Sequence, residues 1–182
     1  MPVRPTSGAR FDATALPAQR EGLIDLLIDT VEHGSSVGFV LPLGRDEAGR
    51  YWDGLAPSLA DGSRLLWIAG DATGPLGTVQ LELVMKKNGV NRAEVQKLLV
   101  HTRARRSGIG RLLMQSVEAR ARELRRGLLY LGTEGGSAAE HFYRSLHYTC
   151  IGGLPEYACS PQGEWRANAI YYKTLFSRGA SA

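Results

Sequence analysis

Cysteine is nearly missing from this chain: Cys150 and Cys159 are the only two in 182 residues. No second cysteine pair and no His-x-x-x-His accompanies them, so a disulfide scaffold and a zinc site are both excluded. Two reduced thiols in a cytoplasmic protein are the expectation. No apolar run approaches the ~20 residues of a membrane span. The start, Met1-Pro2-Val3-Arg4-Pro5, lacks the apolar core of a signal peptide. Lysine is scarce too, with four against eighteen arginines. No Gly-Lys-Ser/Thr occurs, which excludes a P-loop.

What is present is an ordinary globular composition, 43% hydrophobic and 22% charged. The length suits a single domain spanning 1–182, with frayed tails at 1–10 and 177–182. The net charge of +4 is unevenly spread. Arg103, Arg105, Arg106, Arg111, Arg120, Arg122, Arg125 and Arg126 face only Glu118 and Glu123 within one segment, and the rest of the chain is slightly acidic. That concentration points to a local anion site rather than to a nucleic-acid surface. On the crossover helix the arginines read as a solvated face, with Glu118–Arg122 as an i,i+4 pair.

Periodicity outlines the elements. Thr14 to Gly34 reads as a helix, stopped by Gly34. Arg45 to Leu59 puts Ala48, Tyr51, Trp52, Leu55 and Leu59 on one face, weakened by Gly49, Gly54 and Pro57. Leu65–Ala69 and Thr78–Met85 are strands. Asn88-Gly89 signals a tight hairpin returning as Glu94–Val100. A loop at His101–Ser107 leads into a helix from Gly108 to Arg126, with Ile109, Leu112, Leu113, Val117 and Leu124 as its stripe and Gly127 as its stop. Leu128–Thr133 is apolar enough for a central strand. Ser137 and Glu140 form a capping box before a helix ending near Leu146. Tyr148–Leu154 and Ala169–Leu175 complete the strands. The order predicts an α+β fold with a mixed, mostly antiparallel sheet and helices on both faces.

Chemistry concentrates where Leu98-Leu99-Val100 runs out through Arg105-Arg106-Ser107-Gly108-Ile109-Gly110-Arg111. The first amides of a helix have no internal acceptors and sit at the positive end of its dipole. Gly108 and Gly110 let a ligand approach the backbone, and Arg105, Arg106 and Arg111 add charge. The pattern is a pyrophosphate cradle. A dinucleotide-binding βαβ unit is the rival, but Leu113 stands where its third glycine belongs.

Arg105-x-x-Gly108-x-Gly110 after an apolar strand resembles the acetyl-CoA signature of the GNAT N-acetyltransferase superfamily. Ala139-x-x-Phe142-Tyr143-x-x-Leu146-x-Tyr148 resembles its closing helix and strand. Glu94–Leu98, Ile151–Tyr157 and Ala169–Lys173 are similar to the tabtoxin-resistance branch, which acetylates a small amino-acid-like toxin. The resemblance implies acetyl-CoA as donor, no metal, and the primary amine of a small molecule as acceptor. It further implies a monomer or homodimer without nucleic-acid or membrane partners. The alternative is a non-catalytic acyl-CoA sensor.

Carried over residue by residue, Leu98, Leu99 and Val100 hold the pantetheine and carbonyl oxygen through their backbone, the Leu99 amide being an oxyanion donor. Arg105, Arg106, Ser107, Gly108, Ile109, Gly110 and Arg111 bind the pyrophosphate. Glu94 stands eleven positions before Arg105, where the family's base stands. Glu82 is the second candidate, and an edge carboxylate paired with Arg92 or Lys97 is the bland alternative for Glu94. Tyr143 matches the tyrosine that protonates the departing thiolate. His33, His101, His141 and His147 are expected to be structural. Two departures from the pattern are Gly136, where an asparagine is common, and His147, where glycine is common and a left-handed backbone or a different turn would be needed.

Overall fold

The computed structural model describes the backbone of residues 9–11 and all of residues 16–177. The expected helix start at Thr14 lies outside these residues, and so do most of the expected frayed tails. Ala9 and Arg10 are an exception, since strand β1 (Ala9–Phe11) pairs them with Ile68 and Trp67.

A seven-stranded sheet organises the molecule, in the order β1-β2-β3-β4-β5-β9-β6. Its strands are β2 (Arg64–Asp71), β3 (Gly74–Leu83), β4 (Arg92–Val100), β5 (Leu128–Glu134), β6 (Thr149–Gly152) and β9 (Asn168–Thr174). Among the described residues only β4 and β5 run parallel, and the other neighbour pairs of the sheet are antiparallel. A parallel pair needs a crossover, and helix α4 (Ile109–Glu123) provides it. A separate two-stranded ribbon, β7 (Ala158–Cys159) with β8 (Trp165–Arg166), stands apart from the sheet. This is the mixed, mostly antiparallel α+β sheet that the element order predicts.

Alternation along the strands divides two cores. Leu65, Trp67, Val79, Leu81, Ala93 and Val95 face α4, whose Ile109, Leu113, Met114 and Val117 are buried. Leu66, Ile68 and Leu99 face the other way. There α1 (Leu16–Glu32), α2 (Arg45–Asp53) and α3 (Ala56–Ala60) cover the sheet with Leu23, Leu27, Trp52 and Leu59. Helix α5 (Ala138–Ser145) joins the first core through Tyr143. Gly34 is left-handed (φ 84°) and ends α1 as expected.

Several boundaries differ from the sequence reading. The stretch Arg45–Leu59 is two helices, because the chain breaks at Gly54 and restarts with Pro57 in the first turn of α3. Asn88-Gly89 does not make a two-residue hairpin. Residues Lys87–Gly89 form a single 3-10 turn within a longer loop, and Met85 is exposed beyond the end of β3. Helix α4 is closed by left-handed Arg125 (φ 59°), whose successor's amide donates to Ala121 O at 2.8 Å. Gly127 is needed for space instead: a Cβ there would lie 2.7 Å from Asn91 Oδ1.

The basic helix end is also used differently. Glu118 pairs with Lys173 (2.8 Å) rather than with Arg122, and Arg120 pairs with Glu123 (2.7 Å). Arg122 donates to Leu175 O, and buried Arg126 donates to Val84 O (2.8 Å) and Val90 O (2.5 Å). These two guanidiniums cap carbonyls of the fold, so the arginines are not simply a solvated face.

Candidate active site

Strands β4 and β5 pair only from Arg92–Leu128 to Glu94–Tyr130. Beyond Glu94 they part. The gap opens a cleft of about 610 Å³, with Glu94, Gln96, Lys97 and Leu98 on one wall and Gly132, Thr133, Ser137, Ala139 and Tyr143 on the other. A parallel pair cannot splay like this while both edges keep their other partners, unless one strand bends. A bulge in β4 supplies the bend: Thr78 pairs with Leu99 but Gln80 pairs with Gln96, so Lys97 and Leu98 together oppose Val79. Lys97 takes a left-handed φ of 49° to fit.

The bulge also decides which peptide groups meet the cleft. The His101 amide donates to Leu76 O at 2.8 Å. Counting back along the antiparallel ladder turns the backbone of Leu99 to Thr78, and those of Val100 and Leu98 away from β3 toward the open side. On this register the Leu99 amide, the expected donor, faces β3, while Leu98 lies in the bulge and lines the cleft. The Leu99 side chain is fully buried against α1.

At the end of β4 the chain turns through Thr102–Ala104 into α4. Arg106 and Gly108 are left-handed (φ 62° and 91°), which lifts the turn over the helix start. The helical ladder begins with the Leu112 amide donating to Gly108 O at 3.0 Å, leaving the amides of Ile109, Gly110 and Arg111 without intrahelical acceptors. Arg105 reaches the cleft. Arg105 and Arg106 are exposed, and their guanidiniums have no partner among the described residues. Arg111 touches Ser145 Oγ (3.2 Å), and Ser107 Oγ closes the turn on Ala104 O (2.6 Å). Unsatisfied donors at a positive helix end, flanked by unpaired guanidiniums, fit a pyrophosphate.

The two glycines differ in role. Around Gly108 a Cβ would meet open space, so its demand is conformational. At Gly110 a Cβ would sit 3.3 Å from Phe142 Cζ and 3.7 Å from Val100 Cγ2. The missing Cβ at Gly110 thus also makes room for the Phe142 ring of α5, a constraint the sequence reading did not include.

Of the two carboxylates, the cleft receives Glu94 and not Glu82. Glu82 is held by Arg64 (2.6 Å) and by the Gln96 amide (2.9 Å), and the same Arg64 bonds Gln80 (2.6 Å) and Gln96 (2.7 Å). Glu94 makes no ion pair with Arg92 or Lys97. The Lys97 ammonium instead donates to Val37 O (2.6 Å), within 5.5 Å of the Tyr51 ring centre and 5.8 Å of Phe39. Burial, with Arg64 nearby, pulls the Lys97 ammonium below its ordinary pKa. Tyr130, opposite Glu94 on β5, is a neighbour the sequence did not disclose. Burial, and then the Glu94 charge, push its phenol up.

Tyr143 is 8% exposed and packs against Phe142 (5.5 Å), Tyr148 (6.0 Å) and Tyr171 (6.2 Å). Its hydroxyl has no hydrogen bond among the described residues, and burial pushes the phenol well above its ordinary pKa. A protonated donor without an internal acceptor therefore borders the cleft. Glu140 holds α5 in place. It accepts from the Gly136 amide (2.7 Å), the Tyr171 hydroxyl and Arg144 (3.1 Å). The capping box thus closes one residue earlier than expected, and Ser137 Oγ donates to Glu134 O (2.6 Å). His147 is left-handed (φ 64°), as its place in the pattern requires.

Residues 23–148 match the acetyltransferase (GNAT) family, and the chain belongs to that family. Solved structures share the fold. A ribosomal-protein-alanine N-acetyltransferase from Brucella melitensis is 21% identical, with a TM-score of 0.71 over 93% of this chain and 99% of that one. An aminoglycoside 6'-acetyltransferase type Ii is 22% identical, with a TM-score of 0.70 over 95% and 99%. The yncA protein of Salmonella typhimurium, solved with its cofactor acetyl-CoA, is 15% identical, with a TM-score of 0.71 over 97% and 99%.

Proposed function

We propose that the protein transfers the acetyl group of acetyl-CoA to the primary amine of a small molecule, with Glu94 as general base and Tyr143 as general acid. The observation that carries this reading is the meeting of two roles in one cleft: an un-ion-paired carboxylate on β4 and an un-hydrogen-bonded phenol on α5 both line it. A lysine-like amine is protonated at neutral pH, and freeing it costs about 4.6 kcal/mol for ~3.4 pKa units. Glu94, directly or through water, takes that proton. Acetyl-CoA supplies the acetyl group as a thioester. The Leu98 amide donates to the carbonyl oxygen as negative charge gathers there. Tyr143 donates its phenolic hydrogen to the departing sulfur. The amides after Gly108, with Arg105 and Arg106, hold the pyrophosphate.

An amino-acid-like toxin or antibiotic is the acceptor class we favour, on the resemblance to the tabtoxin-resistance branch and on a cleft lined by both charges, Glu94 and Glu134 with Lys97, Arg105 and Arg166. The test of the base is Glu94→Gln across pH. Turnover should fall most near neutrality and recover toward the amine's own pKa, where the substrate loses its proton unaided. A mutant-to-wild-type ratio that stays flat over that range removes Glu94 from the role.

A further inference from the structure

The cofactor turn is gripped from the opposite side of the sheet. Asp29 lies on α1 with its side chain only 14% exposed. Its Oδ2 accepts the Thr102 amide at 2.9 Å, and its Oδ1 accepts the Thr102 hydroxyl at 2.7 Å. Two histidines flank it. His101 Nδ1 is 3.3 Å from Oδ2, and His33 Nδ1 is 3.6 Å from Oδ1 while bonding Asp29 O at 2.7 Å. Four residues separated by up to 73 positions thus meet at one carboxylate.

Thr102 opens the turn that carries the cradle. Arg105 stands three residues on, and left-handed Gly108 six. Among the described residues, the other side chains on this segment hold it locally or at the surface: His101 Nδ1 accepts the Arg103 amide (3.3 Å), Ser107 Oγ bonds within the turn, Arg103 reaches Thr73 Oγ1 (2.7 Å), and Ala104 is buried. A carboxylate accepting both an amide and a hydroxyl from one residue fixes that residue's position and backbone direction together, by charge-assisted bonds. An amide side chain can offer only one such acceptor.

We infer that Asp29 is a positioning residue for acetyl-CoA: its grip on Thr102 sets the turn from which Arg105 and the amides beyond Gly108 meet the pyrophosphate. Asp29 does not line the cleft. The inference rests on the cradle as placed above, and it adds α1 to the cofactor-binding machinery.

Calorimetric titration of acetyl-CoA, with melting temperature as a check on folding, separates the two. Asp29→Asn and Thr102→Val should each weaken affinity about fivefold, part of what a hydrogen bond to a charged group contributes. The double variant should be no worse than about the poorer single one, because both remove one grip. Thr102→Ser keeps the hydroxyl and should stay within about twofold of the parent. In steady state, KM for acetyl-CoA should rise with little change in kcat. Affinity within about twofold of the parent in folded Asp29→Asn and Thr102→Val overturns the inference. If Gly108→Ala also leaves affinity unchanged, the cradle itself is misplaced.

Discussion

Replacing Tyr143 by Phe separates catalysis from folding unusually well in this protein. The ring contacts with Phe142, Tyr148 and Tyr171 involve only carbon atoms and persist in the variant. The hydroxyl has no hydrogen bond among the described residues, so its removal leaves no orphaned partner. Stability should therefore change by less than about 0.5 kcal/mol, the range of substitutions that break no feature. Catalysis should not escape so lightly. A general acid contributes roughly 10²-fold or more, and 10²-fold is about 2.7 kcal/mol of transition-state stabilisation. The interaction with sulfur forms as the thiolate forms, so kcat should fall about 10²-fold with acetyl-CoA affinity nearly unchanged. Because burial raises this phenol, it stays protonated throughout the neutral range, and no titration of Tyr143 should appear there in the wild-type profile. Steady-state CoA release and calorimetric binding, run on both proteins, decide the matter. Turnover within about twofold of wild type would reduce Tyr143 to packing and leave the thiolate to depart unaided.

Three further outcomes follow from the geometry. Gly110→Ala should destabilise the protein by about 1–3 kcal/mol, because its methyl would press on the Phe142 ring; an unchanged melting temperature would refute that packing role. Lys173→Met would leave Glu118, 16% exposed, without its partner; a loss of about 2–4 kcal/mol is expected by denaturant titration, and a neutral effect would show the pair to be dispensable. Glu140 is held below its ordinary pKa, first by the Tyr171 hydroxyl and then by the Gly136 amide. A depressed carboxylate stabilises the fold above its unfolded value near 4.5 and loses that contribution as pH falls through the lower folded value. Wild-type stability should thus drop on acidification below about 4.5, more steeply than that of Glu140→Gln; parallel curves would contradict the assignment.

The parts of this site that were legible in the sequence are those written in local residues. A strand running into Arg105-x-x-Gly108 marks a helix start whose amides are unpaired, and Gly108 does adopt the left-handed backbone that only glycine takes at ease. The left-handed turn at His147 was legible for the same reason. Contacts across long sequence separations were not. Nothing local ties Arg64 to Glu82, yet that pair leaves Glu94 as the one of the two candidate bases that lines the cleft. Gly110 and Gly108 look alike in sequence, and only the neighbouring Phe142 shows that they are glycine for different reasons. The bulge at Lys97–Leu98 shifts the alternation by one residue, and no local pattern discloses it. Strand β1 and the β7–β8 ribbon carry too few residues for periodicity to reveal.

The most direct measurement is CoA release from acetyl-CoA over a panel of amines, including amino acids, aminoglycosides and peptide N-termini, with mass spectrometry of each acceptor. The account predicts many turnovers per enzyme for at least one small primary amine, with a single acetyl group on that nitrogen. Tight acetyl-CoA binding with no more than one turnover on every amine, or an acetyl group found on oxygen, would contradict it.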